Sequence, residues 1–466
     1  MSLHKPTVYP YIPNSAPAAK AAMLAAIGAT GTDDLYAEIP DHLRLQRKLN
    51  LPEPLLSEAG LVRHVEGLLA KNKSTRDCLS FLGGGCWGHH VPAVCDEVNS
   101  RSEFLTAYAG DPYEDHGRFQ ALFEYASMMG ELLEMEVVNV PNYDGYQASA
   151  TALRMAARLT GRTTMLVAGL VSPDKLSKIE DYLKPDLNIE QLPYDGLTGE
   201  IRLDVLAQAL SDQTAAVYFE NPLYLGSLET QGAQIANLAH ARGALCVVSV
   251  DPISLGVLAP PATYGADIVC GDIQPLGIHQ WYGGGHGGFL ASHDDPRMVM
   301  EFPSRLFGVT PTGVSGEYGF GDVAYDRTSF AVREDGKEWV GTASALWGIT
   351  AGVYLALMGP QGMVELGEGI MQRTRYAMNC LAALPGVRLP FAGAHHFKEF
   401  VVNFDETGKT VNAINAALRE RGIFGGSPLS REYPLLGESA LYAITEVHTQ
   451  SDITQLVTAL REILSQ

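Results

Sequence analysis

Short apolar runs alternate with amphipathic stretches through the middle of this chain. Residues 164–169, 215–220 and 245–250 are mostly apolar and of strand length, while 173–183, 203–210 and 235–241 carry helical spacing. Apolar runs interleaved with helices predict a parallel sheet covered on both faces, because strands buried on both sides show no polar alternation. Upstream, Phe119, Leu122, Phe123, Ala126, Met129 and Leu133 recur at three- and four-residue spacing and predict a helix from Gly117. The C-terminal part reads differently, with strands at 397–404 and 440–445 and helices at 411–420 and 452–464. The first 75 residues are punctuated by prolines, with helical pieces at 18–27 and 61–70. Their apolar residues (Leu35, Tyr36, Ile39, Leu43, Leu45) suit an arm laid on another surface, such as a second subunit, better than a core of their own. The expected organisation is an N-terminal arm over 1–78, a large α/β domain over 79–375 and a small α+β domain over 376–466.

Composition narrows the class. The chain has 466 residues, 46% hydrophobic and 18% charged, a globular mixture rather than a disordered one. Its 33 Lys+Arg against 53 Asp+Glu give a formal charge of −20, so no positive field is available to collect nucleic-acid phosphates. No run approaches the roughly 18 to 20 apolar residues of a membrane span, and no leader is expected at the N-terminus. Six cysteines without a CxxC pair fit a reducing compartment better than a disulfide scaffold or a zinc knuckle. These features lead to the expectation of a cytoplasmic enzyme.

Two glycine-rich segments stand out: Phe81-Leu-Gly-Gly-Gly-Cys-Trp-Gly-His89-His90, and Gly283-Gly-Gly-His-Gly-Gly288. Neither is a Walker A loop or a GxGxxG fingerprint, so each reads equally well as a tight turn used in packing. Asp251 closes an apolar strand at the edge where open α/β sheets bind ligands. A carboxylate there can pair with a cationic ring nitrogen, as in pyridoxal phosphate (PLP) enzymes, or can simply cap the turn Pro252-Ile253-Ser254. Adjacent His89 and His90 point to different faces, and with no third ligand at a recognisable spacing no metal site is expected. Cys86, in a glycine-rich turn, is either a reactive thiol or a buried inert one.

Ordered blocks of distinctive sequence run along nearly the whole chain. They include Pro10-Tyr11-Ile12-Pro13-Asn14, Leu49-Asn50-Leu51-Pro52-Glu53-Pro54, Phe81-Leu-Gly-Gly-Gly85, Tyr143-Asp144-Gly145, Asp251-Pro252, Gly271-Asp272 with Gln274-Pro275-Leu276-Gly277, Phe397-Lys-Glu-Phe-Val-Val402 and Thr445-Glu446. Together these blocks resemble subunit 1 (alpha) of the two-subunit, PLP-dependent glycine dehydrogenase (decarboxylating), the P-protein of the glycine cleavage system. The resemblance implies an α/β, fold-type-I (aspartate aminotransferase-like) large domain with a small α+β C-terminal domain and an extended N-terminal arm. It implies Asp251, Ser149 and Thr151 as cofactor-contacting positions, with Asp251 a relic if no cofactor binds.

PLP chemistry needs a lysine to hold the cofactor as a Schiff base. In the family's catalytic beta subunits that lysine follows a histidine in the strand after the aspartate. Here the matching stretch 267–288 has no lysine, Gln274 and Pro275 take its approximate place, and Lys184 and Lys337 are the nearest lysines on either side. The implied picture is a chain with no catalytic residue of its own. PLP would then sit on a beta partner in an α2β2 assembly, with His89, His90, Tyr113, Glu114 and Gln274 as interface or substrate-rim candidates. A lipoyl H-protein and glycine complete the implied system.

Three blocks depart from the family pattern: 109–117, 146–148 and 340–346. They leave open a paralogous subunit acting on another small amino acid or amine. The missing lysine leaves open a non-catalytic scaffold with a degenerate site.

Overall fold

The computed structural model of the chain describes residues 8–47, 49–104, 116–323, 327–328, 338, 340 and 343–466. Two compact units divide it, 1–72 and 73–466. In the first, α1 (Pro17–Ala26) and α2 (Glu58–Leu69) are joined by short 3-10 turns, and no described residue is buried. Pro17 opens α1 and Ser57 caps α2 by accepting the Gly60 amide, so local chemistry rather than a core defines both.

The second unit begins with β1 (Leu79–Ser80), α3 (Ala93–Asn99), α4 (His116–Leu133), β2 (Val137–Val138) and α5 (Gly145–Thr160). Then come β3 (Thr164–Ala168), α6 (Pro173–Leu183), β4 (Asn188–Leu192), α7 (Leu203–Ala209), β5 (Thr214–Asn221), α8 (Gly232–Ala241) and β6 (Leu245–Val250). β7 (Ile268–Asp272), β8 (Gly288–Ser292), α9 (Pro296–Val299) and the hairpin β9 (Phe307–Pro311)–β10 (Tyr318–Asp322) follow. The long α10 (Ala345–Ala382) kinks at Gly359, before Pro360. The chain closes with β11 (Glu399–Asn403), α11 (Val411–Glu420), β12 (Ile423–Phe424), β13 (Ser427–Pro428), β14 (Ser439–Ala443) and α12 (Gln450–Ser465).

The main sheet has the order β2-β8-β7-β6-β5-β3-β4. Pairing is parallel from β4 through β7 and antiparallel at β7–β8 and β8–β2. Successive side chains of its strands enter opposite cores. Leu166, Val217, Phe219 and Val248 pack on one side with residues of α4, α8 and α10, and Met165, Val167, Ala216, Tyr218 and Val247 on the other with α5. This double burial explains why the strands read as unbroken apolar runs.

A separate C-terminal core lies around the antiparallel sheet β11-β14-β13, α11 and α12, and it includes Phe81 from beyond β1. β1 reaches this layer by pairing in parallel with β12. The chain enters the fold there, and the glycine-rich segment 83–90 leaves from the same point.

The helices expected at 18–27, 61–70, 173–183, 203–210, 235–241, 411–420 and 452–464 all form within a few residues of those limits, as do the strands at 164–169, 215–220 and 245–250. The sequence pattern does not predict the edge strand β4, the hairpin β9–β10 or the full length of α10. β4 is mostly exposed, and the β9–β10 hairpin is exposed or only half-buried, so neither carries a buried apolar run.

Candidate functional site

At the C-terminal edge of the parallel strands lies a cleft of about 470 Å³. It is bounded by the 83–87 loop, the start of α5, α6, the ends of β5, β6 and β7, and residues 398–399. The loop is held from both sides. Gly84 donates its amide to Glu399 Oε1 at 2.6 Å, and Gly83 passes so close that a Cβ there would stand 2.2 Å from the same oxygen. Gly84 has φ +91°, a conformation that favours glycine. Burial pushes the Glu399 carboxyl up to about 7, and the indole of Trp87, the Gly84 amide and Lys398 pull the other way without cancelling it.

One end of the cleft is a lysine cage. Lys398, just before β11, places Nζ 2.6 Å from Asp251 Oδ2, 3.1 Å from His89 Nε2 and 3.4 Å from the centroid of the Trp87 ring. An ammonium has no lone pair, so His89 Nε2 accepts and Nδ1 donates to Glu446 Oε2 at 2.8 Å. Glu446 also takes the His90 amide at 2.6 Å. Burial opposes its charge most strongly, but His89 and the backbone amides of His90 and Glu446 together hold the Glu446 carboxyl down at about 2. The contact on Asp251 is a Coulombic one, since no aligned hydrogen bond reaches Oδ2. Asp251 Oδ1 meanwhile accepts the Ile253 amide at 3.1 Å, so the capping role also holds.

The opposite end carries a second buried pair. Lys175 of α6 donates to Glu220 Oε1 at 2.5 Å and to Ser249 Oγ at 3.0 Å. Burial works most strongly against its charge, yet Glu220, together with Tyr218 and Cys270, keeps the ammonium well above the usual lysine range.

The third wall is the start of α5. Asp144 accepts the Gln147 amide at 2.7 Å, and Asp272 accepts the Gly145 amide at 2.8 Å and faces His286 Nδ1 at 3.0 Å. Burial disfavours the imidazolium, but the Asp272 hydrogen bond raises His286 to about 10. Cys86 lies beside it, half-buried and unpaired by any disulfide.

The candidate residues separate. Asp251 lines the cleft. His89 is buried in the relay, whereas His90 is exposed and contributes its backbone. Gln274 is 1% exposed and staples the loop, donating to the Trp87 and Ile278 carbonyls and accepting the Trp87 amide. Ser149 donates to the Gly145 carbonyl inside α5, and Thr151 to Glu338. Tyr113, Glu114 and Lys337 lie outside the described residues. Lys184 is exposed beside Glu180 and Asp181. Of the lysines that do enter the cleft, Lys175 and Lys178 belong to none of the motifs that stand out in the sequence, and Lys398 lies in the block Phe397-Lys-Glu-Phe-Val-Val402, which by itself gives no hint of its place in the cleft.

The family described as Glycine cleavage system P-protein matches over residues 10–460. The chain belongs to that family. The probable glycine dehydrogenase (decarboxylating) subunit 1 of Staphylothermus marinus is 37% identical, over 98% of this chain and 99% of the relative. The corresponding protein of Chlorobium limicola is 39% identical over 94% and 96%. Among solved structures, a glycine decarboxylase (P-protein) of the glycine cleavage system in inhibitor-bound form superposes with TM-score 0.82 and 35% identity, covering 98% of this chain and all of that one. A Burkholderia pseudomallei sphingosine-1-phosphate lyase, at TM-score 0.63 and 14% identity, shares the fold alone. The P-protein chain thus has the fold-type-I architecture of PLP-dependent enzymes.

The cleft of this P-protein chain does not fit PLP. The cofactor presents a ring cation, a phosphate and an aldehyde that needs a free amine. Asp251, the carboxylate for the cation, already holds Lys398. The start of α5, where such a fold offers amides to a phosphate, is met by the Asp144 and Asp272 carboxylates. Of the amines, Lys175 and Lys398 are both ion-paired, and Lys178 is exposed at the rim.

Proposed function

We propose that this chain is the alpha subunit of a two-subunit, PLP-dependent glycine dehydrogenase (decarboxylating), and that PLP is held by its beta partner. The reading rests above all on one observation: Asp251 is occupied by the chain's own Lys398 while residues 267–288 contain no lysine. The near full-length likeness to proteins named subunit 1 supports it.

In this role the chain supplies surface and shape rather than a reacting group. The apolar residues of 8–72, none of them buried, suit an arm laid on the partner in an α2β2 assembly. When bound, PLP stabilises the carbanion left by loss of CO2 from glycine, and the aminomethyl group then passes to a lipoyl carrier. This chain's share is to support the partner and border the substrate path, with exposed His90 and the 109–117 segment as rim candidates.

A paralogue acting on another amine is not favoured by the relatives. The altered block at 146–148 falls at the start of α5, where Tyr146 lines the cleft. The blocks at 109–117 and 340–346 lie partly outside the described residues.

The test is an absorbance spectrum with added PLP, on this chain alone and on its mixture with the lysine-bearing subunit from the same source. The single chain should give no aldimine band; the mixture should give one, together with glycine-dependent CO2 exchange. A borohydride-fixable aldimine on the single chain would make it catalytic in its own right. A band in the mixture without glycine exchange would point to a different amine.

A further inference from the structure

We propose that Lys398 is a permanent internal cation of the cleft, a positioning residue that fills the ammonium cage of Asp251, Trp87 and His89 and pins three parts of the fold together. The inference rests on the reading that this chain holds no PLP of its own.

Four observations carry it. The lysine is 2% exposed, and Asp251 is 8% exposed, so the pair is shielded from water and its attraction is little screened. The Nζ meets a carboxylate at 2.6 Å, an imidazole nitrogen at 3.1 Å and an indole face at 3.4 Å. A carboxylate beside an aromatic face is the arrangement that recognises alkylammonium groups. The groups come from separate parts of the chain: Asp251 from the end of β6, Trp87 and His89 from the glycine-rich loop, and Lys398 from the approach to β11. His89 is itself backed by Glu446, which follows β14. Removing the ammonium would therefore leave a buried carboxylate unpaired and remove one of the ties that join the loop, the C-terminal layer and the main sheet.

If the cage is an ammonium site and not merely a packing contact, a small external ammonium should replace the lost one. The experiment is thermal unfolding of the full chain, unaltered and as Lys398→Ala, in ethylammonium chloride and in sodium chloride of equal ionic strength. Lys398→Ala should melt several degrees lower, ethylammonium should recover at least half of that loss, and sodium should not. The unaltered chain should respond equally to the two salts. The double variant Asp251→Asn/Lys398→Ala should lose less than the sum of the two single losses and should show no ethylammonium rescue.

Equal responses of all variants to ethylammonium, or strictly additive losses, would overturn the proposal. Should Lys398→Ala fail to fold, acylation of the unaltered chain followed by mass spectrometry gives an independent reading. Lys398 should stay unmodified while exposed Lys178 and Lys184 react, and Asp251→Asn should speed its labelling. Labelling of Lys398 as fast as Lys184 would sink the idea. An aldimine formed by the unaltered chain would overturn the reading beneath the proposal without touching the rescue result, so the two failures are distinguishable.

Discussion

The cleft contains two buried lysine–carboxylate pairs built in different ways. Lys175 and Glu220 join a helix to a neighbouring strand of the same layer, and the lysine is further satisfied by a hydrogen bond to Ser249. Lys398 and Asp251 join the C-terminal layer to the main sheet, and an indole face and an imidazole replace the aligned hydrogen bond. The first pair is local architecture that stabilises one layer. The second couples layers, so its loss should be felt in how the parts stand together. The difference teaches that a cleft of active-site shape can have both of its buried lysines paired by its own carboxylates.

The sharpest way to break this comparison is at Lys175. Lys175→Met leaves Glu220 buried without its cation and should cost about 3–5 kcal/mol in denaturant unfolding, whereas Lys175→Met/Glu220→Leu should recover most of that. A single-variant loss near zero would mean that water reaches the pair and the two ends of the cleft are not comparable. Next in size is Gly83→Ala, whose Cβ would stand 2.2 Å from Glu399 Oε1 and 2.8 Å from Ala443 Cβ. It should cost about 1–3 kcal/mol through overpacking, read by the same unfolding curve.

Two pH dependences sharpen the relay at the Lys398 end. Glu446 titrates at about 2 in the folded chain against an ordinary 4.5. Its stabilisation is therefore fully present above about pH 4.5 and is lost as pH falls towards 2. Glu446→Gln should flatten that acid limb in urea unfolding followed across the range; an unchanged limb would remove Glu446 from the relay. Glu399 runs in the opposite sense. Its folded value of about 7 exceeds the ordinary 4.5, so between those values the folded state holds a proton that the unfolded state has released. Stability should fall as pH rises through that window and then level off. Glu399→Gln, which keeps an acceptor for the Gly84 amide, should abolish the fall.

Much of the fold is legible in the sequence because its signals are local. The run 245–250 is apolar except for Ser249 and is followed by an aspartate, which is enough to put Asp251 at the mouth of a sheet. The lysines of the cleft escape such a reading for two different reasons. Lys175 does carry a signal: it lies four and eight residues before Ile179 and Leu183 on the buried stripe of α6, all three inaccessible. Lys398 lies in the block Phe397-Lys-Glu-Phe-Val-Val402 but carries no periodicity signal, because the strand beside it is buried at every position and shows no alternation to reveal which side its neighbour takes. Its partners Asp251 and His89 come from distant parts of the chain, so no sequence window contains the cage. Analogy of position puts Gln274 at a rim, whereas its amide is spent on the loop backbone.

The pairing of β1 with β12 has a consequence for biosynthesis. Phe81 belongs to the C-terminal core, and His89 meets Glu446 across 357 residues of chain. The strands and helices of the main sheet emerge from the ribosome first and can assemble in order. The glycine-rich loop must wait, its partners still unmade, until almost the last residues have been translated. The floor of the cleft is then an early product and its lid a late one. A nascent chain halted before residue 398 would leave Asp251 without its lysine and Phe81 without the core it packs in, so an unfinished chain shows an unpaired charge and an apolar ring together.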